Sequence, residues 1–460
     1  LLTRGTIHAL TFDHPASDWQ ARVNSNVGKG SPSPRRNDKT ASGRVAHSWA
    51  ADTGPGLATA GADNDPGGIV TYSLAGTQFG YDLLWVCILS YPSMVALQLV
   101  SSRVAAITGK GLTTNMREHY APLWFYVAVA RFLVANTVNI AADMVAMGFA
   151  ARLLWNGSVP LFTLLLGAGS IALQWKVPYA RYANVVKWLT LGMFGYVGVL
   201  FTLHVPWREV AWHALIPRVS FTEEYFSILL AVLGTTVSPY LLFAQAEQEI
   251  EELQDRRPKD DSGGDKDKTE RHLRRVRAQT LVRTALSNAV GFFIMLAASA
   301  TLHVAGSRLD TAEDVARVLQ PLLRGSAPYV LGLALIGTAL LALPPLTGSA
   351  ANAAASMFRW RRGQERDRRI ALTQAGLTTL CALSGVSLAL LQLNFVKLLY
   401  WSALLNGMTV APVLILLLLL STKRAAIGDL SMHWSLRALC WLATLVTSGA
   451  LTAHFVLEVM

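Results

Sequence analysis

Asp63-Asn64-Asp65-Pro66-Gly67-Gly68 interrupts an apolar stretch that otherwise reads as a membrane span over residues 54–76. Proline removes a backbone donor and clashes with the preceding turn, and glycine favours unwinding, so no continuous helix passes easily through these residues. A charged aspartate at mid-membrane costs at least ~2.5–3.5 kcal/mol, so Asp65 must face a protein interior or a water-filled cavity. The stretch therefore predicts a broken helix built around a carboxylate.

A second interruption, Gly234-Thr235-Thr236-Val237-Ser238-Pro239-Tyr240, stands at a corresponding depth in the span over 222–248. Taken alone, Pro239 reads equally well as a plain proline kink. Five spans separate the two breaks, and an equal offset between interrupted helices points to an inverted-repeat transporter, whose unwound carbonyls and half-helix ends line an ion site.

The rest of the chain agrees with a membrane protein. Of 460 residues, 52% are hydrophobic and only 15% charged, which is too apolar for a soluble protein of this size. A helix crossing ~30 Å of hydrocarbon needs roughly 20 residues. Eleven spans are expected, over 54–76, 82–107, 122–150, 158–175, 183–204, 222–248, 279–304, 327–356, 370–391, 395–421 and 436–457. Residues 1–52, rich in Ser, Gly, Pro, Asn, Asp and Arg, read as a disordered tail; 53–422 as a ten-helix core with a charged loop at 249–278; and 423–460 as one additional helix.

The formal net charge of +11 is carried in connectors between spans rather than on one face of a domain, which argues against nucleic acid as a partner. Lys and Arg concentrate after the even-numbered spans, as in Arg103, Lys110 and Arg117, the 256–277 run, the 359–369 run, and Lys423 with Arg424. The positive-inside rule then places the tail and these connectors in the cytoplasm, in what is expected to be a bacterial plasma membrane. Cys87, Cys381 and Cys440 lie singly in apolar runs, which excludes a zinc knuckle and argues against a disulfide framework.

Gly54-Pro55-Gly56, then Asp65-Pro66-Gly67, then Gln78-Phe79-Gly80-Tyr81 leading to Leu84-Trp85-Val86, and the Arg103 to Gly109 stretch ending Thr108-Gly109, resemble the first two helices of the Nramp family of proton-coupled divalent metal transporters. The likeness extends more loosely over residues 54–422. It implies an all-α, LeuT-like fold of five plus five helices, alternating access, and Asp65 as the principal metal ligand. The family's Asp-Pro-Gly-Asn has Gly68 at the Asn position, and its helix-six Met and His are replaced by Ser238 and Tyr240. Nramp-like magnesium transporters also carry small residues in place of that Asn and Met. The likeness further implies that Asp143, in Asn139-Ile140-Ala141-Ala142-Asp143, stands for one member of an acidic pair used in proton release, and that Asn406-Gly407 matches a polar helix break whose amide approaches the ion.

The donor chemistry leads to a related expectation. Asp65, the carbonyl of Thr235 and the hydroxyl of Ser238 would form an oxygen-only site beside Gly68 and Asn406. Oxygen ligands suit Mg²⁺, Mn²⁺ and Ca²⁺ better than soft ions. Pro66, Gly67, Pro239 and Gly407 are the expected helix breakers. The metal, a divalent cation that is Mn²⁺/Fe²⁺-like or Mg²⁺, is a substrate and no cofactor is implied; protons and lipid are the other expected partners, and no obligate protein partner is inferred. Two rivals remain at this level. A LeuT-fold carrier of an organic solute fits the same pattern, because that fold hosts many substrates. An intramembrane enzyme using Asp65 and Asp143 as a dyad lacks any supporting motif such as HExxH or GxSxG.

Overall fold

Asp65 caps the helix Pro66–Phe79 in the computed structural model, which describes residues 63–177, 179–255, 266–360, 364–423 and 434–459. The 1–52 tail, the Gly54-Pro55-Gly56 motif and the first half of span one lie outside the described residues. The helices used below are α1 (Pro66–Phe79), α2 (Leu84–Thr108), α3 (Leu112–His119), α4 (Pro122–Leu154), α5 (Val159–Lys176), α6 (Glu223–Thr236), α7 (Pro239–Asp255), α8 (Lys266–Ala298), α9 (Ala327–Met357), α10 (Gln364–Leu390), α11 (Phe395–Thr422) and α12 (Trp434–Val459). Short α and 3-10 turns join up over Arg181–Leu200 as the fifth span.

Among the described residues ten helical segments are long and apolar enough to cross a membrane, and α1 adds 14 residues of the expected span one. Their edges follow local chemistry. Thr222 caps α6 by accepting from the Tyr225 N–H, with Glu223 and Glu224 in the first turn, and Asn394 caps α11 by accepting from the Lys397 N–H. Gly109 closes α2 in the left-handed conformation. Large apolar side chains such as Leu165, Leu383 and Leu445 are more than half exposed on the outside of the bundle, where only lipid suits them.

The connector expected over 249–278 is shorter than the sequence suggested. α7 continues to Asp255 and α8 begins at Lys266, because the Glu-, Gln-, Lys- and Arg-rich flanks are good helix formers and need no membrane to stay helical. Residues 256–265 lie outside the described residues.

The helices pack in two groups. α1, α2, α6, α7 and α8 contact one another, as do α4, α5, α9 and α10, while α11 touches both α6 and α4. α12 packs on α2, α6 and α11. Both groups contribute to each of two apolar cores, one holding Ile69, Leu230, Leu233 and Leu404, the other Ile140, Val237, Tyr240 and Leu414. Along α6–α7 and α11 the boundary between these cores falls at Thr235–Ser238 and at Asn406. The two interrupted spans cross at that boundary, five spans apart, giving the LeuT-like five-plus-five architecture.

Candidate metal site at the two helix breaks

At the first break the chain leaves helical geometry at Asn64 and Asp65 and resumes it at Pro66. Asp65 is the N-cap of α1, and its Oδ1 accepts from the Gly68 N–H at 2.7 Å. Pro66 occupies the first helical position, where its missing N–H has no cost. The carboxylate thus sits at the positive end of a half-helix dipole, which favours its ionised form's placement there. Asp65 is buried, and its Oδ2 accepts from Asn139 Nδ2 of α4 at 2.9 Å.

Asn139 is oriented from behind. Its Oδ1 accepts from Ser402 Oγ at 2.7 Å and from Asn406 Nδ2 at 3.2 Å, both on α11. With the oxygen committed to two donors, the amide nitrogen is left to point at Asp65. Asn406 therefore joins the site through Asn139, with one of its two amide N–H groups used on that contact.

The second break is neutral. α6 ends at Thr236 and α7 starts at Pro239, leaving the last carbonyls of α6 without helical partners. Ser238 Oγ lies 2.7 Å from the Gly234 carbonyl and 2.9 Å from the Thr235 carbonyl. One hydroxyl proton serves one carbonyl at a time, so a carbonyl lone pair and the Ser238 oxygen lone pairs stay available. The Thr235 and Thr236 hydroxyls turn back to the Val232 carbonyl, and Tyr72 of α1 meets Thr236 Oγ1 at 2.9 Å.

Gly68 stands between the breaks. A Cβ built on it would lie 3.3 Å from Asp65 Oδ1 and 3.9 Å from the Thr235 Cβ. The missing side chain leaves the carboxylate facing the end of α6 across glycine backbone. Asp65, Gly68, Thr235 and Ser238 are thus brought together, with Asn406 one residue behind. Among the described residues no cluster of three or more His, Cys, Asp or Glu side chains could hold a metal ion.

Gly407 corrects an expectation. α11 is helical throughout Phe395–Thr422, with no break at Asn406-Gly407. The glycine serves packing instead: a Cβ on Gly407 would lie 2.1 Å from the Leu230 carbonyl, and one on Gly234 would lie 2.4 Å from the Ala403 carbonyl and the Gly407 nitrogen. Small residues here let the α6 and α11 backbones touch.

Asp143 lies on α4, four residues beyond Asn139, and is fully buried. The sequence reading also passed over charged and polar neighbours of the break. Asp63 forms an ion pair with Arg283 of α8, Nε to Oδ2 at 3.5 Å, and Arg283 Nη2 donates to Gln98 of α2 and Gln245 of α7 at 2.5 and 2.9 Å. Asn64 donates to Ser287 Oγ at 3.0 Å. Asp63 and Arg283 were detectable as opposite charges within two apolar spans, whereas nothing marked Asn139 as the partner of Asp65. The three cysteines are free and buried.

The Nramp family profile, natural resistance-associated macrophage protein-like, matches residues 56–457. The chain belongs to the Nramp family. This membership covers both breaks and the additional helix α12, and it sets aside the intramembrane enzyme, since the family is one of transporters in which metal is substrate rather than cofactor. Among relatives, the divalent metal cation transporter MntH of Burkholderia ambifaria is 24% identical over 412 residues, covering 88% of each chain. The protein of the same name from Yersinia pestis is 26% identical over 299 residues, 62% of this chain and 68% of that one. The Eremococcus coleocola manganese transporter superposes with a TM-score of 0.70 at 16% identity, over 91% of this chain and 90% of that one. Mhp1, a nucleobase-cation-symport-1 family transporter, superposes with a TM-score of 0.51 at 13% identity, over 88% and 90%.

Proposed function

We propose that this Nramp protein carries a partly hydrated divalent cation, Mg²⁺ or Mn²⁺, across the membrane by alternating access, with Asp65, the Thr235 carbonyl and the Ser238 hydroxyl as its protein ligands. The observation behind this reading is the Asp65 carboxylate, buried at the meeting of two broken helices and aimed by donors from two different helices. A buried carboxylate with so few neighbouring side-chain ligands suits an ion that keeps several of its waters, as Mg²⁺ does. Gly68, where a bulkier polar residue is usual in the family, leaves space for that water. The cation neutralises Asp65 in a low-dielectric layer, while the carbonyl at the end of α6 offers a weak, reversible contact. Loading and release then follow from whether the α1–α6 pair is open to one side of the membrane or the other.

The amino terminus is assigned to the cytoplasm by the Lys and Arg connectors. Relay of protons is expected to be weak, because Asp143 is the single acid found on α4 within the bilayer and relays use chains of titratable groups. The test is flux into proteoliposomes with Mn²⁺, Mg²⁺ and Cd²⁺, read alongside an internal pH dye. Mn²⁺ and Mg²⁺ should enter with little accompanying acidification. Absence of flux for every divalent ion would overturn the assignment, and a robust pH change lost in Asp143→Asn would overturn the weak coupling.

A further inference from the structure

Asp143 is 0% exposed, and neither of its carboxylate oxygens has a hydrogen-bond partner. An ionised carboxylate buried in this way is among the costliest arrangements in a protein unless a charge compensates it. The other acids near the first break are accounted for. Asp63 faces Arg283, and Asp65 accepts from Gly68 and Asn139.

Position then suggests what Asp143 compensates. Residues four apart share a helix face and lie ~6 Å apart along the axis, so Asp143 stands one turn from the amide that holds Asp65. Gly67 lies against the same group: a Cβ on it would lie 3.4 Å from Asp65 Oδ1 and 3.7 Å from Asn139 Oδ1. Asp143 and Asp65 are therefore both buried next to Asn139, Asp65 by a hydrogen bond and Asp143 by one helical turn. Asp63 and Arg283 cancel as charges, which leaves two negative charges, the complement of one divalent cation.

We propose that Asp143 is the second counter-charge of the transported cation, reached through one of the ion's retained waters. The proposal rests on Asp65 being the direct ligand. Divalent ions of this class keep much of their hydration, so a carboxylate one turn removed acts on the ion through a bound water rather than by direct coordination. The neutral assembly of M²⁺ with two carboxylates is what a low-dielectric layer tolerates. A carboxylate committed to the ion is also unavailable as a proton relay, which accounts for weak coupling.

The experiment is Mn²⁺ binding by calorimetry, together with metal-dependent thermal stabilisation, on purified full-length protein and its Asp65→Asn, Asp143→Asn and Asp143→Glu variants. Asp65→Asn should abolish binding. Asp143→Asn should weaken it roughly 30-fold or more, as expected when one charge is removed at a water's distance in a partly screened interior. Without metal this variant should melt no lower than wild type, since the side chain makes no hydrogen bond to lose. Asp143→Glu should recover most of the affinity. If Asp143→Asn binds Mn²⁺ within twofold of wild type while Asp65→Asn does not bind, the counter-charge is refuted and the Asp65 site stands. If Asp65→Asn also binds normally, the site reading itself falls. Should Asp143→Asn fail to fold, Asp143→Ser provides the same comparison.

Discussion

The two helix breaks solve one problem in opposite ways. At Asn64–Asp65 the interruption carries a charge, and a local N-cap bond from Gly68 is joined by a tertiary partner, the amide of Asn139, itself braced by Ser402 and Asn406 on α11. At Val237–Ser238 the interruption is neutral and largely self-contained, with Ser238 turning its hydroxyl back to the carbonyls of Gly234 and Thr235. A buried charge needs several fixed donors, so it recruits other helices, whereas an orphan carbonyl needs one hydroxyl, which a residue three or four positions away supplies. The first break is thereby tied to other helices, and the second is satisfied mainly within its own span.

The largest expected effect tests the charged break directly. Asp65→Ala should abolish metal uptake in proteoliposomes while the protein still purifies as a monodisperse species, and undiminished uptake would end the contrast between the breaks. Asn139→Leu comes next. It keeps Asp65 but removes the donor that aims it, and loss of such an outer partner lowers metal affinity ~10- to 100-fold. Titration of Mn²⁺ binding in that variant checks the figure; a wild-type curve would show that the N-cap bond alone orients the carboxylate.

A smaller effect is expected at the neutral break. In the wild type, excess Mg²⁺ should compete with Mn²⁺ for transport, because an oxygen-lined hydrated site separates the two poorly. Ser238→Met introduces a soft sulfur, and the Cd²⁺ to Mg²⁺ uptake ratio within that variant should rise by roughly tenfold, since thioethers favour soft ions. An unchanged ratio, together with no Mg²⁺ competition in the wild type, would show that Ser238 does not face the ion. The smallest change is Tyr72→Phe, which removes the hydroxyl contact between α1 and Thr236 that ties the breaks together. It should cost about 0.5–1.5 kcal/mol, the net worth of one hydrogen bond, seen as a modest fall in melting temperature with transport nearly intact. A collapse of transport would mean that this contact sets the geometry of the site.

Much of this arrangement was legible in the letters. Asp65-Pro66-Gly67 announces its break because proline and glycine act on their own backbone, and the apolar runs announce the spans because hydrocarbon thickness sets their length. Gly407 shows where such reading misleads. In sequence a glycine beside an asparagine signals a kink, and only the approach of the Leu230 carbonyl reveals that its lack of a side chain is used between helices. The helical flanks of 249–278 mislead in a similar way, because dense charge resembles a loop while these residue types continue a helix readily.

By itself, the sequence determined the class of protein, ten of its membrane spans, the positions of both breaks and the absence of sulfur at the second, since each depends on residues close together in the chain. Only the tertiary structure decided how the charges near Asp65 are shared. Asn139 is 74 residues from Asp65, and Ser402 is a further 263 from Asn139. Arg283 reaches Asp63 only because α8 packs against the first span. A buried charge is stabilised by whatever donors packing brings within about 3 Å, and spacing along the chain carries no record of that distance.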